Sequence, residues 1–336
     1  MSGKLPYDVL AEAAKRFGSS VNSIHVLSGG HYAGVYGFRS GTGEGVLRIV
    51  PESDTTTAQT ARAILELIRF LAAHGGPVSH PLRSVAGSYL EVIDSDCGTY
   101  LVSGFRKALG VLGELLTGDQ WDEPMYEALG RATGQLHSLA SSYSPVDESL
   151  RLPHWDEISN CFNPDESLVS SHPPIAARQA EVLKRVAELP RGPDEYGLIH
   201  ADLHAANFFV DTDDTTVTIF DFDDCCYGWY AMDIAMAVFD FAVLYPYLEE
   251  EKTSRRLLAS YWRSYNAEHA LDTSWIKEIP GFLKLLEIGV YIDVYQHYDP
   301  TDTTSWVGRF MPGRRERIEA GVPYLSVDLE RVLLQP

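Results

Sequence analysis

The sequence predicts an α+β protein, with an antiparallel, strand-rich first third followed by a mainly helical remainder. Three observations carry this. Short β-branched and aromatic runs broken by glycine turns fill residues 21–50. Apolar residues recur at helical spacing from Gly118 onward. Between the helices, residues 198–224 combine a His-, Asp- and Asn-containing loop with a β-hairpin.

Asp8–Phe17 reads as a short amphipathic helix ended by Gly18. Val21–Ser28 and Tyr32–Arg39 are β-type runs joined by Gly29-Gly30, and Gly41–Gly45 turns the chain into Val46–Val50. Backbone amides at the Gly29-Gly30 turn have an unobstructed approach to phosphate. Read alone, the same turn is equally an ordinary chain reversal. Thr55–His74 is a helix carrying Ala61, Ile64, Leu65, Ile68, Leu71 and Ala72 at helical spacing, stopped by Gly75-Gly76-Pro77. Val78–Val85, Tyr89–Ile93 and Thr99–Ser103 supply further strands, the last leading into a hinge at Gly104-Phe105-Arg106. This places an N-terminal lobe at residues 1–105 and a helical lobe at 106–336.

In the helical part, Glu123–Tyr143 presents Met125, Leu129, Ala132, Leu136 and Leu139 on one face, with Gly130 and Gly134 permitting close approach. His137 on this helix reads as a packed residue. Ser144–Pro174 is rich in Pro, Ser, Asp and Asn without a period, as expected of an insert or ordered loop. Ala176–Leu189, Tyr230–Leu244, Glu250–Glu268 and Ile276–Tyr298 are the remaining large helices. Asp233 sits among apolar neighbours, where an unpaired carboxylate would be costly, so it should accept N–H bonds from a nearby loop. Glu287 and Tyr291 lie on the last helix with Phe282, Asp293, Tyr295 and Tyr298, and Trp306 follows. Rings and carboxylates together suit an ammonium group; core aromatics beside a solvated acidic face are the plainer reading.

The chemistry concentrates in His200-Ala201-Asp202-Leu203-His204-Ala205-Ala206-Asn207 and Phe220-Asp221-Phe222-Asp223-Asp224. Phe208–Val210 and Val217–Phe220 flank a polar turn and read as a hairpin. With Val210 opposite Val217, Asn207 falls opposite Phe220 beside Asp221, and Asp202 approaches from the preceding loop. An amide and carboxylates converging in this way suit Mg²⁺, and the spare carboxylate can take a proton from a hydroxyl nucleophile. His200, Asp202 and His204 also admit a metallohydrolase reading with zinc or manganese. Asp221-x-Asp223 after an apolar strand resembles a haloacid-dehalogenase-type nucleophile motif, but strand–helix alternation does not follow it.

His200–Asn207 resembles the His-Gly-Asp-Leu-His-x-x-Asn box of aminoglycoside phosphotransferase-like and choline-kinase-like small-molecule kinases. Phe220–Asp224 with Gly228 and Asp233-Ile234-Ala235 is similar to their second acidic segment. The resemblance implies a protein-kinase-like bilobal fold and Mg²⁺-dependent transfer of the γ-phosphoryl group of ATP or GTP to a small-molecule hydroxyl. It implies that Asp202 is the catalytic base, that Asn207 and Asp221 hold Mg²⁺, and that Asp233 braces the catalytic loop. By the same resemblance, Gly29, Gly30 and Arg48 steady the phosphates, Glu66 pairs with Arg48, and Tyr100, Val102 and Phe105 line the purine pocket. Arg48 stands where a kinase has lysine; it keeps the charge with a different reach. Asp223 is placed to add a contact near the metal, and Asp224, Glu287 and Tyr291 to meet the acceptor. His200 and His204 brace the loop. Ala201 stands where glycine is usual, which suits a small side chain unless the position requires positive φ. A protein Ser/Thr kinase of the bacterial stress-response type shares the same catalytic residues and is the nearest alternative.

The formal charge is −20, from 27 basic and 47 acidic residues. So acidic a surface argues against nucleic acid or an anionic membrane as partner and suits a cationic acceptor. Cys97, Cys161, Cys225 and Cys226 make neither a disulfide framework nor a zinc motif. The N-terminus lacks a signal pattern, and the apolar run Trp229–Leu248 is interrupted by Asp233 and Asp240. A reduced, cytoplasmic location is the expectation.

Overall fold

A six-stranded antiparallel sheet, a single long helix against it and a larger helical part make up the computed structural model, which describes residues 5–27, 34–41, 43–158, 162, 172–244 and 251–334. The sheet contains β1 (Ile24–Val26), β2 (Gly34–Ser40), β3 (Gly43–Pro51), β4 (Pro81–Leu82), β5 (Leu90–Ser95) and β6 (Gly98–Arg106). The order is β1-β2-β3-β6, with β4 and β5 both pairing along the free side of β6. The expected strand at Val78–Val85 shrinks to Pro81–Leu82, and Val21–Ser23 forms a helical turn before β1.

Strand alternation divides this sheet into two faces. Leu47, Ile49, Tyr100 and Val102 pack with Val9, Ala13 and Phe17 of the N-terminal segment, under helix α1 (Tyr7–Arg16). Gly104 permits this cover, since a Cβ there would lie 2.5 Å from the Phe17 ring. Arg16 ties the helix down with a 2.8 Å hydrogen bond to Glu91. The opposite face carries Arg48, whose register partner on β6 is Ser103.

Helix α2 (Ala58–Ala73) begins where Thr57 accepts the Thr60 N–H at 3.1 Å, a standard N-cap. It buries Ala63, Leu67, Ile68 and Leu71 in the large core cluster of the helical part. Val78 bridges to Ile219, and Ile219 donates to Pro77 O at 2.7 Å, so the chain after α2 is stitched to the hairpin that carries the acidic loop.

The helical part is built from α3 (Glu123–Ala140), α4 (Pro173–Ala187), α5 (Tyr230–Leu244), α6 (Glu251–Glu268) and α7 (Ile279–His297), followed by shorter helices. A Cβ at Gly130 or Gly134 would sit 2.2 Å from Tyr261 O or 2.5 Å from Tyr265 O. These two glycines therefore let α3 and α6 touch backbone to backbone, which sets Tyr265 against α3. Two small ribbons complete the site's frame. One joins β7 (Val111–Leu112), β9 (Phe208–Asp211) and β10 (Thr216–Ile219); the other pairs β8 (Tyr196–Ile199) with β11 (Cys226–Trp229).

Candidate active site

Val217 pairs with Val210, and Phe220 N–H donates to Asn207 O at 3.0 Å. That register brings the His200–Asn207 loop against the Asp221–Asp224 loop. Ile199 opposite Cys226 closes the other ends of the same two loops. Asn207 Nδ2 donates to Asp202 O at 2.8 Å and to Asp202 Oδ2 at 2.9 Å, so the amide is oriented with its nitrogen toward Asp202 and its oxygen away from it.

The loop is fastened from below by α5. Asp233, fully buried, accepts the N–H groups of His200 and Ala201, each at 2.7 Å. His137 Nε2 lies 3.0 Å from Asp233 Oδ2, and its Nδ1 lies 2.8 Å from the Tyr265 hydroxyl. Burial works against this carboxylate, yet the His137 hydrogen bond and the His200 amide hold its pKa below the ordinary value. Ala201 adopts φ +65°, so the position does require a left-handed backbone. Asp221 is also left-handed at φ +62°. Two non-glycine residues in this region flank the site, a pattern that surrounding structure must enforce.

His200 is fully buried, and its two ring nitrogens are spent. Nε2 lies 3.0 Å from the Phe220 carbonyl and therefore carries the proton, while Nδ1 accepts the Asp202 N–H at 3.3 Å. It has no lone pair for a metal, which overturns the His200/Asp202/His204 metallohydrolase reading. His204 Nε2 lies 3.4 Å from Asp202 Oδ2. Burial works to lower the His204 pKa, but the Asp202, Asp240 and Asp221 carboxylates carry it to about 9.

Negative charge is crowded here. The packed protein around this half-exposed side chain first, then Asp221 and Asp202, push the Asp223 carboxyl up to about 6 despite the opposing Arg48. Burial and the same neighbours push Asp224 well above the ordinary value. Oxygen donors from Asn207 and Asp221, in a cluster where Asp202, Asp221, Asp223 and Asp224 outnumber Arg48 and His204, fit a hard divalent cation, which needs only one or two carboxylates plus phosphate oxygens.

Several expected site residues fall elsewhere. Gly29 and Gly30 lie outside the described residues. Arg48 does not pair with Glu66: it contacts Asp223 Oδ2, with its Nε 4.0 Å from Asp221. Glu66 Oε1 instead accepts the Val146 N–H at 2.7 Å. Tyr100 and Val102 point away from Arg48 into the core under α1, because strand parity puts them on the Leu47 and Ile49 face; Phe105 packs against the large core cluster. Glu287 and Tyr291 are buried between helices. Both Glu287 oxygens are taken, by Arg314 at 2.7 Å and by Lys284, while the Tyr291 hydroxyl lies 3.4 Å from that of Tyr295. Neither is open to an acceptor.

Sequence reading missed Asp240 and the role of His137. Asp240 Oδ2 accepts the Ala205 N–H at 2.8 Å, and burial raises its pKa to about 6 against the opposing pull of His204. The signal was available: Asp240 lies seven residues after Asp233, two turns along one helix, and so on the same face. His137 was legible as buried but not as Asp233's partner.

A six-stranded antiparallel sheet with one long helix, a mainly helical second part and an amide-and-carboxylate loop between them define a kinase-like phosphotransferase. The model of the phosphotransferase enzyme family matches residues 23–272. The chain belongs to that family and is a small-molecule kinase. It is 28% identical over 332 residues to the amicoumacin kinase of Bacillus subtilis (strain 168), covering 97% of this chain and 95% of that protein. Among solved structures it is similar to amicoumacin kinase hAmiN in complex with AMP-PNP, Ca²⁺ and Ami, at TM-score 0.86 and 25% identity over 98% of this chain and 97% of that one. The fold also matches the microcompartment-associated aminopropanol kinase, at TM-score 0.68 and 22% identity over 94% and 98% of the respective chains. No helix among the described residues is long and apolar enough to cross a membrane.

Proposed function

We propose that this chain moves the γ-phosphoryl group of ATP or GTP, with Mg²⁺, to a hydroxyl of a small, amine-bearing molecule. The observation that supports the reading is the 2.9 Å Asn207–Asp202 contact, with the Asp221 loop drawn against it by the Phe220 N–H bond to Asn207 O. Asp202 accepts the acceptor's hydroxyl proton as its oxygen bonds the γ-phosphorus and the bond to the β-phosphate oxygen breaks. Asn207 and Asp221 hold Mg²⁺, which neutralises phosphate charge when bound. Arg48 reaches the phosphates from the sheet at residues 1–105, and the nucleotide lies between this lobe and residues 106–336. Positioning and charge neutralisation supply most of such catalysis.

Two further facts support a cationic acceptor and a divalent cation. The net charge is −20, and Asp223 and Asp224 both face a field of like charge. The similar amicoumacin kinase holds AMP-PNP and Ca²⁺ together with Ami. The test is Mg²⁺-dependent ADP release from ATP and from GTP across amino alcohols, amino sugars and amine-bearing antibiotics, amicoumacin included. One acceptor should stimulate release, and Asp202→Ala should cut that stimulation by roughly 10²–10⁴-fold, the usual scale for a general base. Stimulation that survives Asp202→Ala would remove Asp202 from the role.

A further inference from the structure

The basic residue of the sheet and the acid of the long helix are not partners in this protein. Arg48 crosses from β3 to the loop after β10 and bonds Asp223, with Asp221 4.0 Å from its Nε. Glu66 and Gln59, seven residues apart on one face of α2, both serve another segment. Glu66 Oε1 accepts the Val146 N–H at 2.7 Å, and Gln59 Nε2 donates to Ser149 O at 2.6 Å. Tyr143 packs edge-on against Phe70 of the same helix at 5.3 Å. Residues 143–149 thus take one oxygen of Glu66, whose Oε2 is buried without a hydrogen-bond partner among the described residues, while Arg48 turns to Asp223 instead of this acid.

We propose that Asp223 is the positioning residue that sets Arg48 for nucleotide phosphates, in place of the helix acid. The inference rests on the nucleotide-dependent reading above. A guanidinium presents five N–H donors in a rigid fork, so a carboxylate on one nitrogen orients the group while leaving donors for phosphate. Lysine, a point charge on a flexible stem, gains less from such an anchor. The arginine at position 48 and the aspartate at 223 are thus one device. The Arg48 side chain is 22% exposed and that of Asp223 47%, so the bridge between sheet and acidic loop stays open on its solvent side.

The experiment is ADP binding by calorimetry in EDTA for the wild type, Arg48→Gln, Asp223→Asn, the double variant and Glu66→Gln, repeated with Mg²⁺. Each of the first two substitutions should weaken metal-free ADP binding by about 3- to 30-fold, the range of coupled neighbouring charges. The double variant should bind no more weakly than Arg48→Gln alone. Glu66→Gln should bind ADP like the wild type while unfolding at lower urea. Steady-state ATP kinetics of Asp223→Asn should show KM raised more than kcat is lowered. The proposal is overturned if Asp223→Asn tightens metal-free ADP binding, which would make Asp223 a competitor of phosphate. An effect confined to Mg²⁺ would make it a metal ligand instead, and additive losses, or a Glu66→Gln loss matching Arg48→Gln, would also sink the proposal. A wild type that binds neither ADP nor ATP with or without Mg²⁺ refutes the kinase reading itself, a result distinct from all of these.

Discussion

Asp233 Oδ1 accepts the Ala201 N–H at 2.7 Å while Ala201 is held at φ +65°. The carboxylate helps to hold the left-handed turn, because it receives the amide of this buried residue. Relief of left-handed strain on Ala201→Gly is worth roughly 1–2 kcal/mol. Loss of a buried methyl (about 0.8 kcal/mol) and greater unfolded-chain entropy (about 0.4–1 kcal/mol) oppose it. Urea unfolding should therefore place Ala201→Gly within about 1 kcal/mol of the wild type. Ala201→Val, which adds branching at positive φ in a filled site, should lose roughly 2–4 kcal/mol. A large loss in the glycine variant would mean that packing of the methyl outweighs the strain.

Asp233→Asn tests the brace directly. An amide nitrogen in place of either oxygen faces the N–H of His200 or Ala201, donor against donor, and leaves a buried group unpaired. Destabilisation of about 3–5 kcal/mol is expected, as for breaking a buried charged network. His137→Phe removes one partner at 3.0 Å while keeping both backbone bonds, and should cost less. Equal losses for the two variants would show that His137 carries the brace.

The hairpin and the catalytic loop were readable because their constraints are local. Val210 opposite Val217 follows from two short apolar runs and one polar turn, and everything at the open end of the hairpin follows from that register. Asp233 was equally legible, since a lone acid in an apolar helix must find donors. The partners of Arg48 and Glu66 were not. Both ion-pair geometries suit the sequence spacing, and the choice depends on which face of α2 meets Val146 and Ser149, a contact between residues about 80–90 apart. The side chains of Tyr100 and Val102 face the core for a smaller reason: one residue of phase along β6 turns a side chain from the Arg48 face into the core under α1.

Glu287 distinguishes a structural acid from an acceptor site. Its carboxylate is fully buried between Arg314 at 2.7 Å and Lys284, and Lys284 also donates to Val322 O at 2.6 Å. Glu287→Ala leaves two buried cations without their counter-ion and should cost roughly 3–5 kcal/mol by urea unfolding. Once folded, the variant should keep the wild-type KM for the acceptor. A raised KM with unchanged stability would return Glu287 to the acceptor site.

His269 takes a contribution away from stability in mild acid, while Asp223 and Asp240, whose carboxyls are raised to about 6, add one in the same window. Burial, then the neighbouring His137, lowers the His269 pKa from 6.5 to about 4. Between these values the unfolded chain binds the proton and the folded protein does not, so the unfolded state binds more protons and stability rises with pH. The contribution is fully present above pH 6.5 and is lost progressively as pH falls toward 4. His269 is part-exposed and its ring lies 4.4 Å from that of Tyr230, so an aromatic replacement preserves the packing without the proton. The urea midpoint of His269→Phe should rise relative to that of the wild type as pH is lowered from 7.5 to 4.5. Parallel curves would assign any acid loss to other groups, and Asp233, whose lowered pKa places its own loss at more acidic values, would be next to examine by the same titration.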